Sequence, residues 1–122
     1  MANSVWCAWE PFERGYMLWR KDTQQVVVLY ANGTWEQFSD PWQEGQALPS
    51  RGNPPEGRVV PVRGFGLLWG SNDDVFKRLG WATADESGAD ATIQYFENGY
   101  VAYGGVLQPC IAVRYDGTWR RG

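Results

Sequence analysis

The chain reads as a mainly β protein: two pseudo-repeated three-stranded antiparallel meanders forming a small sandwich or barrel, with one short helix. Three observations predict this. Aromatic residues make up 16% of the 122 positions, with eight Trp, six Tyr and five Phe, and large rings favour pleated sheet surfaces. Fifteen Gly and seven Pro supply frequent turns. Most telling, Phe12-Glu13-Arg14-Gly15-Tyr16 returns as Phe96-Glu97-Asn98-Gly99-Tyr100, and Asn32-Gly33-Thr34-Trp35 returns as Asp116-Gly117-Thr118-Trp119. Both motifs shift by 96 − 12 = 84 positions, and one fixed offset marks a supersecondary unit used more than once.

The elements follow in chain order. Residues 16–20 form a short strand, and the polar 21–24 a turn. Gln25 to Tyr30 contains Val26-Val27-Val28-Leu29, a continuous apolar run suited to a strand covered on both sides. Asn32-Gly33 between two β runs signals a tight hairpin, and Trp35 to Phe38 alternates as an edge strand does. The connection 39–61 carries Pro41, Pro49, Pro54, Pro55 and Pro61 with Gly45, Gly52 and Gly57, and reads as an irregular loop of a length that is uncommon in a compact domain. Residues 62–69 suggest a further strand around Gly64-Phe65-Gly66-Leu67-Leu68. The one helix runs from a cap at Asn72, with Asp73 and Asp74 in its first turn, Lys77 and Arg78 in its last, and Gly80 as the stop. The second copy then repeats the plan: a strand at 100–103, a loop from Gly104 to Pro109, a strand at 110–115, the Asp116-Gly117 turn and a last short strand. The whole is one domain, with its repeat at 12–38 and 96–122.

Charge narrows the function. A net charge of −3 argues against a nucleic-acid partner, which calls for a basic stripe. No apolar run approaches the length of a membrane span, and the N-terminal residues lack the basic and apolar regions of a signal peptide. The chain is then either cytoplasmic or a piece of a longer extracellular or cell-surface protein. The cysteines Cys7 and Cys110 are too far apart for a CxxC motif. Position 26, the counterpart of 110, is Val, so a buried thiol is the simpler reading; a Cys7–Cys110 disulfide is the alternative for an extracellular chain.

There is no histidine. That removes Ser-His and Cys-His catalysis and most transition-metal sites, and nothing calls for a cofactor. Carboxylate pairs such as Asp40 with Glu44, or Asp85 with Glu86, are the remaining route to a small hydrolase. Glu13 and Glu97 recur with the repeat, which points to a shared structural task. The repeat also sorts the aromatics. Phe12/Phe96, Tyr16/Tyr100, Trp19/Tyr103 and Trp35/Trp119 occupy matching places and belong to the fold, whereas Trp6, Trp9, Trp42, Trp69 and Trp81 have no aromatic counterpart. Trp42 stands among Asp40, Gln43 and Glu44, and Trp69 beside Gly70-Ser71 at the end of the expected strand. An exposed indole next to carboxylates suits stacking on a sugar ring, so Trp42, Trp69, Glu44 and Asp40 are the candidate ligand-binding residues.

The segment Leu79-Gly80-Trp81-Ala82-Thr83-Ala84-Asp85-Glu86, followed by Phe96-Glu97-Asn98-Gly99-Tyr100-Val101-Ala102-Tyr103, resembles the LGFP repeat: Leu-Gly-aromatic-Pro-Thr with an acid nearby, then Phe-x-x-Gly and a hydrophobic-aromatic strand. Phe12 to Trp19 looks like the second half of another such unit. Ala82 stands where that pattern has proline, and the Asx-Gly-Thr-Trp hairpin lies outside it. The resemblance implies a bacterial surface or cell-wall module that anchors or binds. It makes the expected protein a non-catalytic binding module for glycan or cell-wall polymer. The alternative is a self-assembly or protein-interaction module.

Overall fold

A computed structural model describes residues 2–40, 42–105 and 107–121; Pro41 of the expected loop and residue 122 of the second copy lie outside them. The chain forms β1 (Ala2–Phe12), β2 (Gly15–Arg20), β3 (Gln25–Tyr30), β4 (Trp35–Ser39), α1 (Arg63–Ser71), α2 (Asp73–Leu79), β5 (Ser87–Phe96), β6 (Gly99–Gly104), β7 (Leu107–Arg114) and β8 (Trp119–Arg121). All strand pairs are antiparallel, in a sheet ordered β4-β3-β2-β1-β5-β6-β7-β8.

The repeat is a pair of four-stranded halves, β1–β4 and β5–β8, related by a pseudo-twofold axis. β1 and β5 pair from Ala2↔Gln94 to Trp9↔Ser87, with Trp6 opposite Asp90, its own counterpart at the 84-residue offset. Thr34 bridges Thr118, again a residue and its counterpart, and this second contact nearly closes the sheet into a barrel. The closure is reciprocal. Trp35 N donates to Gly117 O at 3.1 Å and Trp119 N to Gly33 O at 2.9 Å. The indole Nε1 of Trp35 donates to Arg114 O at 2.7 Å and that of Trp119 to Tyr30 O at 2.8 Å. Asn32 Oδ1 accepts from Thr34 N as Asp116 Oδ1 accepts from Thr118 N, both at 3.0 Å. Both copies thus use an Asx turn at this place.

Strand alternation divides the side chains. Val5, Cys7, Leu18, Val27, Leu29, Ile93, Ala102, Ile111 and Val113 fill the barrel. Ala8, Met17, Val26, Val28 and Tyr30 face outward from the first half and are roofed by Phe65, Trp69, Val75 and Leu79. This double burial explains the unbroken apolar run of β3. At one position of the inner face the buried Arg20 holds Asp22 at 2.6 Å, bonds the Tyr95 hydroxyl and stacks over the Tyr100 ring. Among the described residues the second half has no such roof, and its equivalent outward positions Val101, Cys110 and Ala112 are only half-buried.

The expected helix is present within its bounds: Asn72 Oδ1 accepts from Val75 N at 3.1 Å, and Gly80 ends it at φ 78°. Arg78 then ties α2 to the sheet, lying over Tyr30 and bonding Glu36 Oε1 at 2.8 Å. The expected strand at 62–69 is instead helix α1. Phe65, Leu68 and Trp69 share a helical face on the roof side, and the glycines that weaken a helix permit its close approaches. A Cβ on Gly66 would stand 2.4 Å from Pro61 O, and one on Gly70 2.9 Å from Pro49 O; packing overrides propensity. The expected loop Gly104–Pro109 is shorter than anticipated, since β7 begins at Leu107 after an irregularity between Tyr103 and Gly104. The disulfide is not formed. Cys7 on β1 and Cys110 on β7 stand three strand positions apart in the sheet. Cys7 is fully buried, and burial pushes its thiol up to about 11.

Candidate functional site

The connection 40–62 does not lie flat on the barrel. It leaves a cleft of about 480 Å³ between itself, the start of α1 and the outer faces of β1, β2 and β5. The strands supply its floor and two walls. Ala8 pairs with Trp19 and with Gly88, so the small side chain lies between a large ring and a bare backbone. Trp6, one alternation before Ala8, lays its ring on Gly88, where a Cβ would stand 2.6 Å from Trp6 Cζ2. Trp6 is 44% exposed, while Trp19 is half-buried with an indole N–H that has no partner. Trp42 from the connection provides the third indole.

The charged lining has defined supports. Asp40 follows β4 directly; its Oδ1 accepts from Trp42 N at 3.0 Å, forming an Asx turn that sets the Trp42 backbone. Its carboxylate also lies against Gly64, where a Cβ would come within 2.5 Å of Oδ1. That places a negative charge at the N-terminal end of α1, where the helix dipole favours it. Arg63 holds a left-handed φ of 53°, uncommon for a side chain of its kind, and donates to Glu86 Oε1 at 2.9 Å. Glu44 is exposed. Beneath the cleft, beyond Ala8 on the same outward face of β1, lies Glu10. It is 1% exposed with Oε1 unpartnered. Burial, then the charges of Glu86 and Asp85, push its carboxyl up to about 8, so it is mostly protonated at neutral pH.

Three of the four candidates from the sequence, Asp40, Trp42 and Glu44, converge on this cleft. Trp69 does not. It is an α1 residue, 1% exposed, with Nε1 donating to Gly80 O at 2.8 Å and its ring packed edge-on against Phe76 and Trp81. It is a roof anchor, and the correction follows from α1 replacing the expected strand. Sequence reasoning passed over Trp6, Trp19, Arg63 and Glu86 as lining residues and Glu10 beneath them. The signal available was the carboxylate of Glu10 set between Trp9 and Pro11 in an otherwise apolar stretch. Glu13 binds Trp81 N at 2.9 Å and Arg58 at 2.8 Å. Its partners lie in the segment between the halves, so they do not explain the recurrence at Glu97.

No family model, curated protein or solved structure matches the chain. Among the described residues no group of three or more Cys, Asp or Glu side chains is placed to hold a metal ion, and no helix is long and apolar enough to cross a membrane.

Proposed function

We propose that the protein is a non-catalytic binding module whose cleft takes a glycan or cell-wall polymer. The observation that carries this reading is the convergence of Trp6, Trp19 and Trp42 on one cleft with Asp40, Glu44 and Glu86. Indole faces offer flat apolar contact to a sugar ring, and carboxylates accept hydrogen bonds from hydroxyls. The volume falls in the range of small-ligand sites. The extracellular setting belongs to the same proposal and rests on the LGFP-like segments. A hydrolase is the less favoured reading: Glu10, whose raised pKa would suit a general acid, is buried beneath the cleft and does not line it.

Retention of the purified chain on insoluble glycans and peptidoglycan tests the proposal, with Trp42→Ala and Trp6→Ala as variants. Both rings are partly exposed, so the variants should keep their fold while retention drops at least fivefold. Unchanged retention in both would refute the site; turnover of a polysaccharide would refute the non-catalytic reading.

One observation favours self-association as a second reading. The unroofed outer face of the second half carries Val101 and Ala112, with Phe96 56% exposed beside them, and such a patch suits a partner surface. A concentration-dependent dimer in light scattering, abolished by Val101→Lys, would support it; a monomer throughout would exclude it.

A further inference from the structure

The charge of the cleft specifies its ligand further. Its lining holds three carboxylates, Asp40, Glu44 and Glu86, against one guanidinium, Arg63. Arg63 is already committed to Glu86. What remains for a ligand is acceptor-rich and negative, walled by three indoles. Indole faces attract cations through the ring quadrupole, most strongly where water is displaced. A neutral, acetylated sugar would use the rings and leave this field unanswered, whereas an anionic polymer would be repelled by it. An ammonium group answers both features at once.

We propose that the cleft selects glycans carrying unacetylated, protonated amino groups, with the ammonium held among Trp6, Trp19 and Trp42 and compensated by Asp40 and Glu44. This rests on the glycan-binding reading and deepens it. Asp40 is fixed for the task by its bond from the Trp42 backbone N–H and its seat against Gly64, so the carboxylate is held beside the backbone that carries the Trp42 indole. Glu44, exposed and four residues on, is the adaptable partner. The charge of the lining is felt below the floor as well: burial first, and then the charges of Glu86 and Asp85, push the Glu10 carboxyl up to about 8.

The test titrates the full chain at mildly acidic pH with a glucosamine hexamer and with its fully N-acetylated counterpart, following tryptophan fluorescence at low and high salt. The amino form should bind roughly tenfold more tightly, the difference that one solvent-exposed cation–π contact and a surface ion pair supply together. Added salt should erode that advantage. Glu44→Gln should weaken the amino form severalfold and leave the acetylated form unchanged; Glu44 is exposed, so a preserved melting temperature shows that the fold is intact. Equal or tighter binding of the acetylated hexamer overturns this selectivity and leaves the glycan reading standing. Failure of both hexamers and of insoluble glycans defeats both. A lysine peptide that binds more tightly than the glucosamine hexamer assigns the ammonium to a protein and overturns the glycan as its source.

Discussion

Glu10→Gln should turn a pH-dependent stability into a flatter one. In the unfolded chain the carboxyl has its ordinary value of 4.5, and in the folded protein it is raised to about 8. The folded state therefore binds the extra proton between these values, and stability falls as pH rises through that window. Below 4.5 both states are protonated and the group costs nothing; above about 8 both are ionised and the full cost is present. With 1.36 kcal/mol per pKa unit, the difference between 8 and 4.5 corresponds to roughly 5 kcal/mol, a large fraction of the stability of a domain this size. Urea unfolding of wild type and Glu10→Gln across this pH range, at constant ionic strength, measures the double difference. The variant should gain on wild type steadily with rising pH, and the gain should level off above about 8. Parallel stability curves for the two proteins would refute the reasoning, because Glu10 would then titrate alike in both states.

The same contacts carry three further expectations. Trp69→Ala should cost about 3–5 kcal/mol in urea unfolding, since the ring is buried between α2 and Trp81; a loss below about 1 kcal/mol would remove it from the core. Trp119→Phe should cost about 1–2 kcal/mol by deleting the bond to Tyr30 O. Trp35→Phe should cost less, because its twofold-equivalent bond to Arg114 O is exposed whereas that of Trp119 is partly buried; an equal or larger loss in thermal melts would contradict that difference. Gly15→Ala should lose roughly 3 kcal/mol or more, as the new Cβ would lie 2.1 Å from Leu29 O at a φ of 147°; a wild-type melting temperature would contradict that close approach.

Local signals carried the fold well where one side chain repeats one task. The Asx turns of the hairpins and the cap of helix α2 depend on contacts within a few residues, so their patterns survive in the chain, and the β3 run is legible because burial on both faces leaves it no polar position. β1 and β5 were not legible as repeat partners because their counterparts diverged with their surroundings. Glu10 under the roof matches Gln94 without one, and Ala8 on the cleft floor matches Thr92. α1 does not read as a helix in the sequence because Gly64, Gly66 and Gly70 lower its helix propensity, and their value lies in close approaches to Asp40, Pro61 and Pro49 that no helical pattern records. The candidate site was half legible. Asp40, Trp42 and Glu44 stood out as an indole among acids, but their meeting with Trp6, Trp19 and Arg63 depends on how the connection crosses the barrel.

The reciprocal closure at Thr34 and Thr118 has a consequence for folding and assembly. Each half is a meander of sequence neighbours, whereas both seams between halves join residues 78 or more positions apart, which places barrel closure late. The β1–β5 seam is a long ladder, but the β4–β8 seam is one bridge and a few Trp bonds, so the barrel opens there first. Opening exposes two edges that share the Asx-Gly-Thr-Trp corner and then differ, Glu36-Gln37 against Arg120-Arg121. Each fits the complementary edge of another molecule as it fits its own, so the symmetry that closes the monomer also encodes a route to a strand-exchanged dimer.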